Sequence, residues 1–328
     1  MWKYLLRRTL YAIFTVWVIT LISFAVIQLP PGDYVTSLMS QMTRISGVQP
    51  TPEYVAQIRE QYGLNEPMYV QYYKWMRNIF KGKFGDSFVY RRDAVELIVE
   101  RLPMTFALSF FSLLLIWIIA LPIGIYSAVR QYSLGDYVFT FIGFIGIAIP
   151  NFLLALICMF ASYKYGGEAI IGLFTPEMAD APWSWAKFVD LLQHLWVPVV
   201  VIGLGGTAGL IRTMRANLLD ELKKPYVETA RAKGLSELKL LLKYPVRHAM
   251  NPFVSTIGWI LPSLIAGEVI VAIVLNLPTS GPILYDALKN QDQYVAAGFI
   301  LMLSILTVIG TFLSDLLLAA LDPRIRLE

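Results

Sequence analysis

Charge is scarce in this chain. Only 15% of its 328 residues are Asp, Glu, Lys or Arg, against about 25% in a typical soluble domain. Histidine occurs twice, at His194 and His248, and cysteine once, at Cys158. One cysteine excludes a disulfide framework, and Cys158 reads most simply as a small packing residue inside an apolar run. No GxxxxGK[ST] stretch is present to cradle nucleotide phosphates, and no HExxH is present to hold zinc. The two histidines fall on opposite sides of the expected membrane, which argues against a His-based intramembrane enzyme. Tandem repeats and low-complexity tracts are also missing. Without an internal inverted repeat, a stand-alone secondary transporter is disfavoured, since such folds commonly carry that symmetry.

Apolar residues are abundant: 57% of the chain is hydrophobic and the mean hydropathy is +0.59. A run of about 18 apolar residues crosses a hydrocarbon core of roughly 30 Å as a helix. Six runs qualify: Thr9 to Leu29, Leu102 to Val129, Tyr137 to Tyr163, Leu191 to Ile211, Ala249 to Leu277 with Glu268 inside, and Gln293 to Ser314. Backbone groups in lipid must satisfy one another, so the expectation is an all-α polytopic membrane protein with six transmembrane helices. The first run exceeds a signal-peptide core and ends in PPGD rather than a small-residue cleavage pattern, so it is expected to be retained as a span.

Short loops rich in Lys and Arg stay in the cytoplasm. With Lys3, Arg7 and Arg8 inside, the basic segments 130–136, 212–248 and the tail 321–328 also fall inside. Both termini are then cytoplasmic. The expected organisation is a cytoplasmic N-terminus and first span over 1–29, an extracytoplasmic helical insertion over 30–101, a transmembrane core over 102–320 that includes the cytoplasmic loop 212–248, and a cytoplasmic tail over 321–328.

The insertion carries helix punctuation. Thr51-Pro52 starts one helix that stops at Gly63, and Pro67 starts another that stops at Gly82. Asp93 and Glu96 form a capping-box-like pattern before the second span. Tyr69, Tyr72, Tyr73, Trp75, Phe80, Phe84 and Phe88 read either as an interfacial aromatic belt or as a folded cap that meets a partner. The segment 164–190, with its Trp183 to Trp185 triplet, reads as a lid-like or interfacial loop.

Within 212–248, Pro225 suits a first helical turn, Glu228 falls in that turn, and Arg231 and Lys233 sit near its end before Gly234. Ser236 caps a second helix with Leu238, Leu241 and Leu242 at helical spacing, interrupted at Tyr244-Pro245. Two short helices around a glycine bend follow, and from the residues alone a headgroup-binding amphipathic segment is the plain alternative.

Glu228-Thr229-Ala230 with Gly234 resembles the EAA loop of permease subunits of binding-protein-dependent ABC importers, and Ala230 to Leu235 (ARAKGL) resembles their dipeptide/oligopeptide/nickel branch. LLRR (Leu5 to Arg8), PPGD (Pro30 to Asp33), YGL (Tyr62 to Leu64), GKFGDS (Gly82 to Ser87), ERLP (Glu100 to Pro103), IPNF (Ile149 to Phe152) and LDPRIR (Leu321 to Arg326) follow in that branch's order. The resemblance implies alternating access driven by ATP, with Glu228, Thr229, Ala230, Arg231, Ala232, Lys233, Gly234 and Leu235 as the coupling segment.

It also implies a second permease subunit, two cytoplasmic ABC ATPase subunits and an extracytoplasmic solute-binding protein, all at the bilayer of a bacterial cytoplasmic (inner) membrane. ATP and Mg would belong to the ATPase partners, with no cofactor on this chain and no role for nucleic acid. Glu268 with Pro150, Asn151 and Phe152 are candidates for the transport path or its gate, an acid within an apolar run being costly unless it faces the protein interior or water. Two departures stand out. Thr229 replaces the first Ala of the pattern, and the stretch Glu268 to Pro282 (EVIVAIVLNLPTSGP) carries extra residues before its proline. Oligopeptides and oligosaccharides both remain open as cargo.

Overall fold

A computed structural model describes residues 2–29, 33–46, 51–61, 63–167, 170–251, 253–255 and 269–321. Those residues are overwhelmingly helical; their only β-type pairing is an isolated bridge between Asp86 and Asp93. The protein is an all-α polytopic membrane protein. Four helices are long and apolar enough to cross a bilayer, and a fifth crossing is available from a bent pair.

The chain divides into two compact units. The first comprises Met1–Pro103 with Thr279–Val308, and the second Met104–Pro278 with Ile309–Glu328.

The first unit holds α1 (Trp2–Gln28), α2 (Tyr34–Ser46), α3 (Pro52–Gln61) and α4 (Met68–Ile79), with the start of α5 (Ala94–Val129). The expected glycine stops appear as left-handed residues, Gly63 at φ +65 and Gly82 at φ +77, a region where a Cβ is penalised. Helix α2 was not expected, although Asp33 in front of it is an N-cap residue and its Oδ1 accepts the Thr36 N–H at 2.8 Å. The capping box is only half formed. Asp93 Oδ1 accepts the Val95 N–H at 2.9 Å, but Glu96 turns to Arg92 at 2.9 Å instead of reaching back.

The aromatics of the insertion split into two sets. Tyr69, Tyr73 and Phe80 are exposed, whereas Trp75 and Phe88 are 2% and 1% exposed. Trp75 stacks on Phe24 of α1 and donates its indole N–H to the Phe84 carbonyl at 2.9 Å, and Tyr72 bonds Thr20. Trp75 and Phe88 therefore belong to the core, with Tyr72 and Phe84 partly buried beside Trp75.

Polar contacts also knit this unit. Gln28 donates to both Gln71 and Gln293, at 3.0 and 2.9 Å. Arg59 pairs with Asp33 at 3.0 Å. Asp292, fully buried, accepts from the Ser87 hydroxyl at 2.5 Å and the Val89 N–H at 3.2 Å. Burial pushes the Asp292 carboxyl above the usual aspartate range despite those donors.

The second unit contains most of α5, then α6 (Leu134–Ala148), α7 (Asn151–Gly166), α8 (Pro176–Ala179), α9 (Trp185–Leu222), α10 (Pro225–Ala232), α11 (Glu237–Lys243), α12 (Pro245–Ala249) and α13 (Val269–Val274). Helix α14 (Ser280–Lys289) belongs to the first unit, and α15 (Gln293–Leu321) starts in the first and ends in the second. The second unit's core is aliphatic, centred on Leu108, Leu195, Val201, Ile202, Val271 and Leu275 in one cluster and on Ile116, Met214, Leu218 and Phe253 in another.

The third apolar run is not one straight span: α6 and α7 meet at Ile149-Pro150 with a 96° bend. Proline lacks an N–H and disfavours a helical conformation in the residue before it, and Ile149 is accordingly extended at φ −90, ψ 119. The segment 164–190 is fastened rather than lid-like. The Gly172 N–H donates to the Leu275 carbonyl at 2.7 Å, Leu173 is buried, and Asp190 accepts the Thr175 N–H at 2.8 Å. The fifth expected span, 249–277, lies partly outside the described residues.

Candidate functional site

The two short helices around Gly234 are present as the sequence dictates. Pro225 opens α10, and Lys224 precedes it in extended geometry. At the far end the Gly234 N–H donates to the Arg231 carbonyl at 3.0 Å, and Gly234 takes φ +77. A Cβ added at Gly234 would meet nothing within 4 Å. The requirement for glycine is therefore conformational, not steric. Ser236 occupies the N-cap position of α11 without a side-chain cap bond. Helix α9 continues to Leu222, so the first part of the expected loop 212–248 is helix.

A small core of its own anchors the segment. Val227, Ala230 and Leu240 are buried together, with Tyr226, Leu235 and Tyr244 packed around them. Tyr226 donates its hydroxyl to Glu221 of α9 at 2.5 Å, and its ring meets His248 of α12 edge-on at 5.8 Å. Burial, then the Glu221 hydrogen bond, raise the Tyr226 phenol above its ordinary range. The Tyr226–Glu221 anchor is invisible to sequence reasoning, because nothing in local spacing ties a phenol to a carboxylate in the preceding helix.

The opposite face of α10 is open. Glu228, Thr229, Arg231, Ala232, Lys233 and Gly234 are exposed. Glu228 makes no hydrogen bond or ion pair among the described residues, which leaves a first-turn carboxylate free for a basic partner. Thr229 donates its hydroxyl to the Pro225 carbonyl at 2.9 Å, so the threonine that departs from the EAA pattern is satisfied within its own helix. Arg231 is engaged: it forks onto Glu237 at 2.5 and 3.1 Å, stapling α10 to α11 across the glycine. That staple holds the Glu237 carboxyl below the usual range. Leu238 and Leu242 of α11 are exposed beside it.

Pro150, Asn151 and Phe152 come together at the bend between α6 and α7. Asn151 lies against α9, where a Cβ on Gly205 would come within 2.7 Å of its Oδ1. Phe152 is 40% exposed. About 25 Å of helix, at 1.5 Å per residue, separate Gly205 from the end of α9 at Leu222, so this group and the α10 segment are distinct places joined by one helix. Glu268 lies outside the described residues. His194 and His248 are likewise far apart, with about 40 Å of α9 beyond His194 before the turn that leads to His248 and Tyr226.

Residues 120–327 match the family described as binding-protein-dependent transport system inner membrane component, and residues 1–109 match its N-terminal membrane component. The chain is 38% identical over 323 residues to the oligopeptide transport system permease protein AppB of Bacillus subtilis, covering 98% of both. It is 30% identical over 361 aligned residues to the peptidoglycan transport system permease protein YejB of Agrobacterium fabrum, covering 100% of this chain and 99% of the relative. It is 27% identical over 327 residues to the oligopeptide transport system permease protein OppB of Haemophilus influenzae, covering 99% and 100%. With matches that run the length of the chain and take in both the α10 segment and the bend, this protein belongs to the family of binding-protein-dependent transport system inner membrane components.

Proposed function

We propose that the chain is one of two membrane subunits of an ATP-driven importer that moves oligopeptides into the cytoplasm by alternating access. The observation that carries this reading is α10: a short helix anchored by its own core, with a free carboxylate and a basic end turned outward. That is the form of a docking element for another protein, and the chain has no phosphate-binding loop of its own. ATP and Mg are assigned to two cytoplasmic ATPase subunits that receive α10, and solute delivery to an extracytoplasmic binding protein. The second permease subunit, the six-span count and the cytoplasmic placement of both termini belong to the same proposal. The fifth of those spans includes residues outside the described set. Peptides are preferred over oligosaccharides because two of these relatives are named as oligopeptide permeases.

Glu228 and Gly234 couple hydrolysis to transport in this reading, and Pro150, Asn151, Phe152 and Glu268 line or gate the path. The test is uptake into proteoliposomes holding this chain, its co-purifying subunits and the binding protein, against peptide and oligosaccharide panels. Peptide uptake that needs both ATP and the binding protein is expected. Uptake by the lone chain under a solute gradient would replace the reading with a secondary transporter, and oligosaccharide uptake alone would replace the cargo.

A further inference from the structure

Helix α9 leads into α10 with only Lys223 and Lys224 between them, and the junction is stiffened. Glu221 accepts from Lys224 at 2.6 Å and from Tyr226 at 2.5 Å. Whatever displaces α10 therefore acts on the end of α9. Within this unit α9 packs against α6, the helix that ends at the Pro150 bend.

The contacts between α6 and α9 run in antiparallel register. Nearest α10, Arg215 forks onto Asp136 with 3.1 and 2.9 Å bonds. Asp136 is only 2% exposed, in the first turn of α6. Its position is set from its own side too: its N–H donates to Ser133 Oγ at 3.2 Å, and its Oδ2 accepts the Tyr132 N–H at 3.0 Å. Further along, the Arg212 guanidinium lies over the Phe144 ring at 5.9 Å. Beyond that the backbones close up. A Cβ on Gly143 would stand 3.2 Å from the Ala208 Cβ, and one on Gly205 would meet Asn151 beside the bend.

We infer that the Asp136–Arg215 ion pair locks α6 to α9 as one lever, so that a displacement of α10 is delivered to the bend at Pro150. The inference rests on the transporter reading for what moves α10; the lever itself rests on these contacts. The physical reason is the cost of slippage. A shift of one helix past the other by a turn, about 5.4 Å, would strip Arg215 from a carboxylate that is almost fully buried, and an uncompensated buried charge is strongly disfavoured. The glycine contacts alone carry no such penalty, because small residues permit sliding as readily as close approach. Asp136 and Arg215 are thus positioning residues, touching neither solute nor nucleotide.

The test uses the full chain with its co-purifying subunits in lipid nanodiscs, in a Cys158→Ser background. Spin labels at Ile145 of α6 and Lys223 at the end of α9, both exposed, report the distance along the lever without and with trapped ATP. One narrow distance, the same in both states, is expected for the parent. Arg215→Gln is expected to broaden it and make it differ between states, and to raise several-fold the ATP hydrolysed per solute imported. Arg215→Lys, which keeps the charge but not the fork, is expected to fall between.

A merely structural role would alter assembly or melting and leave both readouts alone in whatever complex assembles. Superimposable distances and unchanged ATP per solute in Arg215→Gln would overturn the inference. Should Arg215→Gln not assemble, an assembled Arg215→Lys that matches the parent in both readouts would overturn it equally. A parent complex without ATP-dependent uptake would instead remove the transporter reading, while the distances still decide whether the lever exists.

Discussion

The α10 segment and the Pro150 bend are built in opposite ways. At α10 the contacts that hold the helix are Val227, Ala230 and Tyr226 against Leu240 of α11; of the coupling pattern Ala230 and Leu235 turn into this core, while Glu228, Thr229, Arg231, Ala232, Lys233 and Gly234 are exposed. At the bend the contact is against backbone: Asn151 rests on Gly205, where no side chain fits without displacing it. Surface changes at α10 are thus separable from folding, and changes at the bend are not. This division suits the proposed roles: a docking element would have to keep its shape while exchanging partners, and a bend that transmits movement would have to stay in contact with the helix that moves it.

That contrast breaks most sharply at Gly205. Replacing it with leucine is expected to push Asn151 and the bend away from α9, at an overpacking cost of about 1–3 kcal/mol. Both the melting temperature and solute uptake fall, measured by thermal unfolding in detergent and by proteoliposome uptake. Glu228→Lys is expected to abolish uptake with no change in melting. The lost charge-assisted contact, worth about 1.5–3 kcal/mol, weakens docking roughly 10- to 100-fold, read by titrating the ATPase subunits onto the membrane complex.

Gly234→Val comes next. Holding a residue with a β-carbon in the left-handed region costs about 1–2 kcal/mol, so docking weakens, while Gly234→Asn is expected to retain much of it because Asn visits that region more readily. The smallest effect belongs to Arg231→Ala. Its bond to Glu237 is exposed, so only a slight loss of order in α11 is expected, seen as faster amide exchange. Because the pair holds the Glu237 carboxyl below its ordinary value, whatever it contributes is present above the usual glutamate range. It fades as the pH falls through the lowered value, so the variant and its parent converge in acid.

How much of this could be read from the sequence follows from the range of each cause. Gly63, Gly82 and Gly234 were legible as stops because a positive φ is a local demand that glycine meets. Pro225 and Glu228 were legible for the same local reason. The bend was not, since a window of apolar residues from Tyr137 to Tyr163 scores alike whether straight or folded at Pro150. Phe88 and Trp75 read equally as part of a surface belt or of a folded cap, because aromatic composition is the same for both; only tertiary packing buries them. Arg215–Asp136, Tyr226–Glu221 and the Gln28–Gln71–Gln293 network join residues whose pairing depends on tertiary packing. Family resemblance carried the function, through Glu228, Thr229, Ala230 and Gly234, where helix punctuation alone left a lipid-binding segment equally open.

Whether the open face of α10 meets an ATPase subunit is decided by a photo-crosslinking residue placed at exposed Thr229, and separately at buried Leu240, in the membrane-assembled complex. Thr229 is expected to capture the ATPase subunit and Leu240 is not, and Glu228→Lys is expected to remove the Thr229 adduct. Capture of lipid alone from Thr229, with a functional and fully assembled complex, would contradict that contact.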